Sequence, residues 1–100
     1  MIAIADLTGH FVTAPMETVA DPELHRWFLE SRGRVGVNIV PLKDARRPLM
    51  AALKRGASIG LVNDRDITGT GNPVPFFGAP APISPGVAML ALETGTDVYV

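Results

Sequence analysis

Short apolar runs alternate with amphipathic segments of helical length along the chain, and this alternation constrains its fold more than any other feature. The runs at residues 11–15, 35–42 and 57–62 are rich in β-branched residues, which is typical of strands. Between them, residues 22–33 and 45–54 place apolar side chains three and four positions apart, as on one helix face. The sequence therefore predicts an α/β fold, with a layered, mostly parallel sheet and flanking helices.

Capping residues and glycines mark the predicted helices. Asp21 followed by Pro22 indicates a helix start, because aspartate caps a helix and proline fits its first turn. That helix should end near Gly33, and Ser84 with Pro85 repeats the same start for a later helix. The apolar faces predicted to be buried are formed by Leu24, Trp27 and Phe28 on the first helix, by Leu49, Met50 and Leu53 on the second, and by Val87, Leu90 and Ala91 on the third.

The remaining segments are shorter. Residues 74–77 are predicted to form a further strand, residues 79–85 an ordered extended connection, and residues 97–100 the beginning of a last strand. The apolar residues 1–7 fit either the last turns of a helix or a weak strand.

Composition limits the class of protein. One hundred residues with 47% hydrophobic and 19% charged residues and a net charge of -1 indicate at most one small globular domain, residues 1–100, which is also compatible with a piece of something larger. The same balance argues against a nucleic-acid partner. Cysteine is absent, and His10 and His25 have no partner at metal-ligand spacing, so no metal site is expected. No window reaches the roughly 18 apolar residues of a membrane span, so we expect any membrane contact to be peripheral or to be made by sequence that is absent here.

The stretch from Asp64 to Gly78, DRDITGTGNPVPFFG, places charges directly after an apolar run and then several turn-forming residues. In α/β sheets the loops at the carboxyl ends of strands carry most ligand-binding groups. The stretch therefore fits a functional loop, although a polar turn between two strands has the same pattern.

The same stretch, continued by ISPGVAMLALETG, resembles the bacterial lipid A biosynthesis lauroyl and myristoyl acyltransferases and their relatives that acylate phosphatidylinositol mannosides. Upstream, TAPMETVADPELHRWFLESRGRVGVNIVPL resembles the family's segment in which a strand ends on a glutamate and a short helix carries an arginine. The resemblance is carried by Asp64, Asp66, Gly71, Val74, Phe76, Phe77, Gly78, Pro85, Gly86, Thr94 and Gly95, with Glu17 and Arg32 upstream.

The resemblance implies part of a lysophospholipid acyltransferase-like domain that transfers a fatty acyl group from an acyl-CoA or acyl carrier protein thioester to a glycolipid hydroxyl. The family's His-x4-Asp element, whose histidine deprotonates the acceptor, does not occur in this sequence, so we expect a fragment that is inactive alone. No cofactor or metal is implied. The implied location is the cytoplasmic face of the plasma (inner) membrane, with peripheral contact.

Site roles follow from the same resemblance. The expected catalytic residues are Asp64, facing the absent histidine, and Asp66; the expected substrate-binding residues are Glu17, Arg32, Arg65, Phe76 and Phe77. Each has a structural alternative: a surface salt bridge for Glu17 with Arg32, solvent exposure for Arg65, and plain core for the two phenylalanines. The basic group Arg46, Arg47, Lys54 and Arg55 fits either contact with anionic lipid head groups or a solvated helix face. The competing function is a non-catalytic α/β module that binds a phosphorylated ligand or a partner protein through the acidic loop.

Overall fold

The computed structural model describes residues 11–66 and 69–100. Residues 1–7, His10 and the loop positions 67–68 lie outside the described residues. The chain divides into two compact units, residues 1–60 and 61–100, which are described separately. In chain order the elements are β1 (Val12–Met16), α1 (Pro22–Arg34), β2 (Val37–Pro41), a 3-10 turn (Leu42–Asp44), α2 (Arg46–Lys54), β3 (Ser58–Ile59), β4 (Asn72–Phe76), β5 (Ala79–Ile83) and α3 (Gly86–Thr94).

The first unit is built on a three-stranded parallel sheet with the order β2-β1-β3. The central strand β1 pairs with β2 from Val12 opposite Val37 to Met16 opposite Pro41. Helices α1 and α2 form the two crossovers that parallel strands require. The predicted α/β class and parallel pairing are confirmed, while the layered arrangement and the lysophospholipid acyltransferase-like domain stay predictions.

Strand β3 is shorter than residues 57–62, the predicted strand. It pairs with β1 only at Val12 and Thr13, and the amide of Gly60 donates to the Thr13 carbonyl at 3.0 Å before the pairing ends. Composition favours an extended chain here, but a strand is defined by its ladder, and this ladder ends at Ile59 although β1 continues to Met16.

The described core of the first unit lies between α2 and the sheet. Its buried apolar side chains are Val37, Val40, Ala45, Leu49 and Ala52. On α2 the prediction is right for Leu49, whereas Met50 and Leu53 are only half-buried and the small Ala52 is buried instead. A methyl side chain lets the helix backbone approach closely, which leaves the larger neighbours at the margin.

Helix α1 begins as predicted, because the Asp21 carboxylate accepts the amides of Glu23 at 2.9 Å and Leu24 at 3.2 Å. Its predicted buried face is wrong. Leu24 is 44% and Trp27 58% exposed, Phe28 is half-buried, and no residue of α1 is buried. Helical periodicity determines which side chains share a face, but a neighbouring element must cover that face for it to be buried.

The second unit contains an antiparallel hairpin, which corrects the prediction of a strand at residues 74–77 followed by an extended connection. Strands β4 and β5 pair from Asn72 opposite Ile83 to Phe76 opposite Ala79. The two-residue loop between them is Phe77 and Gly78, and both have positive φ, 49° and 78°. Positive φ at both loop residues is the signature of a type I′ turn, whose twist matches that of the flanking strands. The connection is extended, as predicted, but it forms half of a ladder.

Helix α3 ends as predicted at Gly95, which adopts the left-handed conformation with φ 65°. It begins at Gly86, slightly later than the Ser84-Pro85 pattern predicts, although the Ser84 hydroxyl accepts the Gly86 amide at 3.3 Å. Of its predicted buried residues Leu90 is buried, and Val87 and Ala91 are half-buried. The strand predicted at residues 97–100 is wrong: this segment is exposed and forms no ladder with the described chain, and apolar composition alone does not make a strand.

Candidate functional site

Glu17 lies at the carboxyl edge of the parallel sheet. It follows Met16, the last residue of β1, and its side chain is exposed. Strands β2 and β3 lie on opposite sides of β1. The chain first adds a strand on one side of β1 and then crosses to add the next on the other side, which makes the carboxyl edge of β1 a topological switch point. In open α/β sheets such a switch point opens a crevice in which ligands bind. The sheet order therefore places Glu17 at this edge, and its substrate-binding role stays a prediction.

Arg32 lies in the last turn of α1, and its side chain turns back along the helix. Its guanidinium carbon lies 5.4 Å from the ring centroid of Phe28, one turn earlier. Phe28 in turn meets Trp27 edge to face, with ring centroids 5.2 Å apart. This stack orients the guanidinium toward the start of α1, which follows Glu17 in the chain. A pair between Glu17 and Arg32 across a groove stays a prediction.

His25 has a structural partner. Its Nδ1 accepts the backbone amide of Val19 at 3.2 Å, which ties the segment before α1 to the helix. A ring nitrogen that accepts a backbone N–H is occupied in holding the chain. This contact fits the interpretation of His25 as an ordinary helix-packing histidine.

The acidic loop is closed by a contact between Asp66 and Gly71. The Gly71 amide donates to the Asp66 Oδ2 at 2.9 Å, and the carboxylate is half-buried. A Cβ on residue 71 would lie 2.8 Å from both the Cγ and Oδ2 of Asp66, closer than real Cβ contacts allow. Glycine at position 71 therefore leaves the Asp66 carboxylate in place, and this carboxylate holds the loop closed.

Asp64 and Arg65 lie on the exposed part of this loop. Before them, the Asn63 side-chain amide donates to the carbonyl of Ser84 at 3.4 Å, which links the start of the loop to the residues preceding α3. Within the second unit, the loop is thus held at Asn63 and at Asp66, and it presents the Asp64 carboxylate to solvent. The catalytic roles predicted for Asp64 and Asp66, and the binding role of Arg65, stay predictions.

Phe76 and Phe77 lie at the tip of the hairpin and are not core. They are 60% and 94% exposed, and their rings meet edge to face with centroids 4.6 Å apart. On the same hairpin, a shallow open hollow of about 360 Å³ is lined by Pro73, Val74, Pro75, Gly78, Ala79 and Pro80. The lining is apolar, and it offers no side-chain donor or acceptor that would orient a polar ligand.

Across residues 11–66 and 69–100, no group of three or more histidine, aspartate or glutamate side chains is placed to hold a metal ion. Within the same ranges, no helix has both the length and the apolar character needed to cross a bilayer.

Comparison with known proteins tests the resemblance. The family model for bacterial lipid A biosynthesis acyltransferases matches residues 7–99. This chain belongs to that family. Phosphatidylinositol mannoside acyltransferases of two Mycobacterium tuberculosis strains are 35% identical to it over 91 residues, which cover 87% of this chain and 28% of theirs. The Mycolicibacterium smegmatis protein of the same name is 38% identical over 93 residues, 85% of this chain and 31% of its own.

The chain spans less than a third of the length of these acyltransferases. Every predicted site residue, from Glu17 to Phe77, lies inside the segment that the family model matches. Membership in the family does not by itself assign a role to any of these side chains.

Sequence reasoning missed three features of the site. These are the hydrogen bond between Asp66 and Gly71, the Asn63 contact with Ser84, and the hairpin that carries Phe77. A glycine five residues after an aspartate was a usable signal for the first. The others had weak signals, since Phe-Gly is an unusual pair for a type I′ turn and prolines normally argue against a strand.

Proposed function

We propose that the protein transfers a fatty acyl group from an acyl-CoA or acyl carrier protein thioester to a hydroxyl of a glycolipid, with a phosphatidylinositol mannoside or lipid A precursor as acceptor. The observation that carries the proposal is family membership over residues 7–99, together with identity to phosphatidylinositol mannoside acyltransferases. Neither a metal nor a cofactor has a part in this chemistry.

The reaction requires a base, an oxyanion site and a place for the leaving thiol. The base takes the proton of the acceptor hydroxyl, the oxygen forms a bond to the thioester carbonyl carbon, and the carbon–sulfur bond breaks as the thiol leaves with a proton. A carboxylate beside a histidine base holds its tautomer and stabilises the imidazolium. We assign that role to Asp64, because its carboxylate is exposed on a loop whose ends are held by Asn63 and Asp66.

Asp66 has a positioning role in this proposal, since its carboxylate accepts the Gly71 amide. Glu17, at the switch-point edge of the parallel sheet, and Arg32 contact the polar part of the acceptor. Arg65 contributes a positive charge to substrate binding, and the fatty chains of the lipids lie against Phe76 and Phe77.

We further propose that these 100 residues give no acyl transfer alone. His10 is followed at the fifth position by Pro15 and His25 by Glu30, so neither forms the family's His-x4-Asp element. His25 also accepts the Val19 amide, which opposes its use as a base. In the cell, we place the protein peripherally at the cytoplasmic face of the plasma membrane, where thioester donors meet lipid acceptors.

A chimera tests the proposal. Residues 7–99 of this chain replace the matching segment of the Mycolicibacterium smegmatis acyltransferase, and acyl transfer from a long-chain acyl-CoA to a phosphatidylinositol mannoside is measured. We expect the chimera to be active, and Asp64→Ala within it to lower kcat at least about 100-fold with unchanged melting temperature, because the histidine would lose the carboxylate that holds its tautomer and stabilises the imidazolium. Asp66→Ala should lower both activity and stability.

Two outcomes would count against the proposal. A folded chimera without activity would reject the acyltransferase function. An Asp64→Ala chimera that retains full turnover would reject the catalytic role of Asp64. Turnover by the 100-residue chain alone, abolished by Asp64→Ala, would instead show that the base is misplaced.

A further inference from the structure

The identity of residue 77 is not explained by the turn it forms. Phe77 is the one described non-glycine residue with positive φ, 49°, and it is 94% exposed. Left-handed backbone is unfavourable for a bulky side chain, and type I′ turns prefer asparagine followed by glycine at these two positions. Phenylalanine here strains the backbone and gains no burial within the described chain. Its aromatic ring therefore has a use outside the packing of the hairpin.

The two edges of the β4–β5 hairpin are also unusual. Phe76 and Ala79 close a two-residue loop and therefore form a hydrogen-bonded pair. Hydrogen-bonded and non-hydrogen-bonded pairs alternate along the ladder, and the residues of the non-hydrogen-bonded pairs direct their backbone N–H and C=O positions away from the partner strand. The four outward-facing residues of the ladder are all prolines: Pro73, Pro75, Pro80 and Pro82. Proline has no N–H, so neither edge of the hairpin presents an outward amide donor.

The distribution of charged residues supports the same conclusion. No charged residue occurs in residues 67–92, a stretch that includes the whole hairpin and most of α3. An apolar environment penalises charges and unpaired N–H groups strongly. Charged side chains are missing from the β4–β5 hairpin and outward N–H groups from its ladder, while its tip carries two exposed aromatic rings.

We propose that the tip of the β4–β5 hairpin, Phe76 with Phe77, is a membrane-contact element that inserts into the outer part of a lipid bilayer. The inference rests on the proposed function, because an enzyme that acylates membrane lipids must reach a bilayer surface. It also changes the predicted contact of the two phenylalanines, from the acyl chain of one substrate to the fatty chains of the surrounding lipids.

The geometry favours lipid over the other possible occupants. A strand from a second copy or another protein would need edge donors, which the prolines remove. A two-residue turn is narrow and convex. A protein partner would need a matching concave pocket to bury it, whereas the lipids of a fluid bilayer can rearrange around it. The outward proline carbonyls still require hydrogen bonds from water, so insertion is shallow and ends at the tip.

The test measures binding of the full chain to sedimented phosphatidylcholine vesicles, with and without phosphatidylinositol. The variant Phe77→Asn suits the turn better than phenylalanine does, so it should fold at least as stably while its partition coefficient falls at least about fivefold, given the free energy of burying a phenylalanine ring. The matched control is Phe11→Asn, which changes a phenylalanine that is 74% exposed in the other unit. It should bind like the wild type.

A second measurement locates the tip. In Trp27→Phe with Phe77→Trp, the only tryptophan lies at residue 77, because the chain has one tryptophan. Vesicles should shift its emission to the blue, and lipids brominated near the head groups should quench it. High salt should leave the Phe77-dependent part of binding unchanged, since it is not electrostatic.

Several results would overturn the inference: no vesicle binding by the wild-type chain, or equal binding by Phe77→Asn. A lower melting temperature of Phe77→Asn would show that the ring is buried against protein, and a solution dimer lost in Phe77→Asn would assign the tip to a second copy. Binding is measured without acyl donor or glycolipid acceptor. An inactive chimera would therefore reject the proposed function and leave this result standing.

Discussion

Gly71 determines the shape of the acidic loop because the Asp66 carboxylate occupies the space where a side chain would be. A Cβ there would lie 2.8 Å from the Asp66 Oδ2 and 3.1 Å from the Ile83 backbone nitrogen. The backbone nitrogen cannot move aside as a flexible side chain can. The motif glycine therefore has a steric reason that does not depend on catalysis.

We predict that Gly71→Ala lowers the free energy of unfolding by about 1–3 kcal/mol, since it overpacks a close contact. The measurement is urea denaturation followed by circular dichroism. Gly33→Ala makes the same chemical change in α1, where nothing lies within 4 Å of the new methyl group. That control should be neutral or stabilising by up to about 1 kcal/mol. Equal losses in both variants would contradict the steric explanation.

At the scale of single elements, α1 is stabilised at its start while its apolar face stays exposed. Asp21 accepts two backbone amides and Pro22 occupies the first helical position. Since no residue of α1 is buried, packing contributes less to this helix than to α2. We infer that local capping has an unusually large share in maintaining α1.

We predict that Asp21→Ala destabilises the chain by about 1 kcal/mol and that Asp21→Ser, which keeps a capping oxygen, retains most of the stability. Thermal unfolding followed at the helical circular dichroism band measures both. If the serine and alanine variants were equally destabilised, the cap would not be the source of the effect.

The four prolines of the β4–β5 hairpin show that a local sequence preference can argue against a strand that the structure contains. Prolines at residues 73, 75, 80 and 82 argue against a strand when they are read one at a time. In the structure all four occupy outward positions of one ladder, where no N–H is needed. The meaning of each proline depends on its partner across the hairpin, so the pairing register was needed to interpret them.

At the scale of the whole molecule, the two compact units differ in how much they bury. The first unit contains five buried apolar side chains in its described part, whereas in the described part of the second only Leu90 is buried. Segments with few buried contacts open at lower free energy than a packed core. The second unit should therefore be the less protected of the two.

Amide hydrogen exchange on the full chain tests this difference. We predict that the paired amides of β4 and β5 exchange at least about tenfold faster than those of β1 and β2, because their opening exposes little buried surface. Vesicles should slow exchange in the hairpin if its tip binds lipid. Equal protection in both sheets without vesicles would show that the second unit is as stable as the first.

The sequence alone was enough for the capped start of α1, the glycine end of α3, the α/β class and the family, because these depend on residues a few positions apart or on motifs in a fixed order along the chain. Only the tertiary structure decided the sheet order around β1, the hairpin of β4 with β5, the exposure of Trp27 and the Asp66 contact with Gly71. Capping and periodicity act within one turn of the chain. Pairing and burial join segments that are distant in sequence, and which segments meet is determined by the competition among all of them.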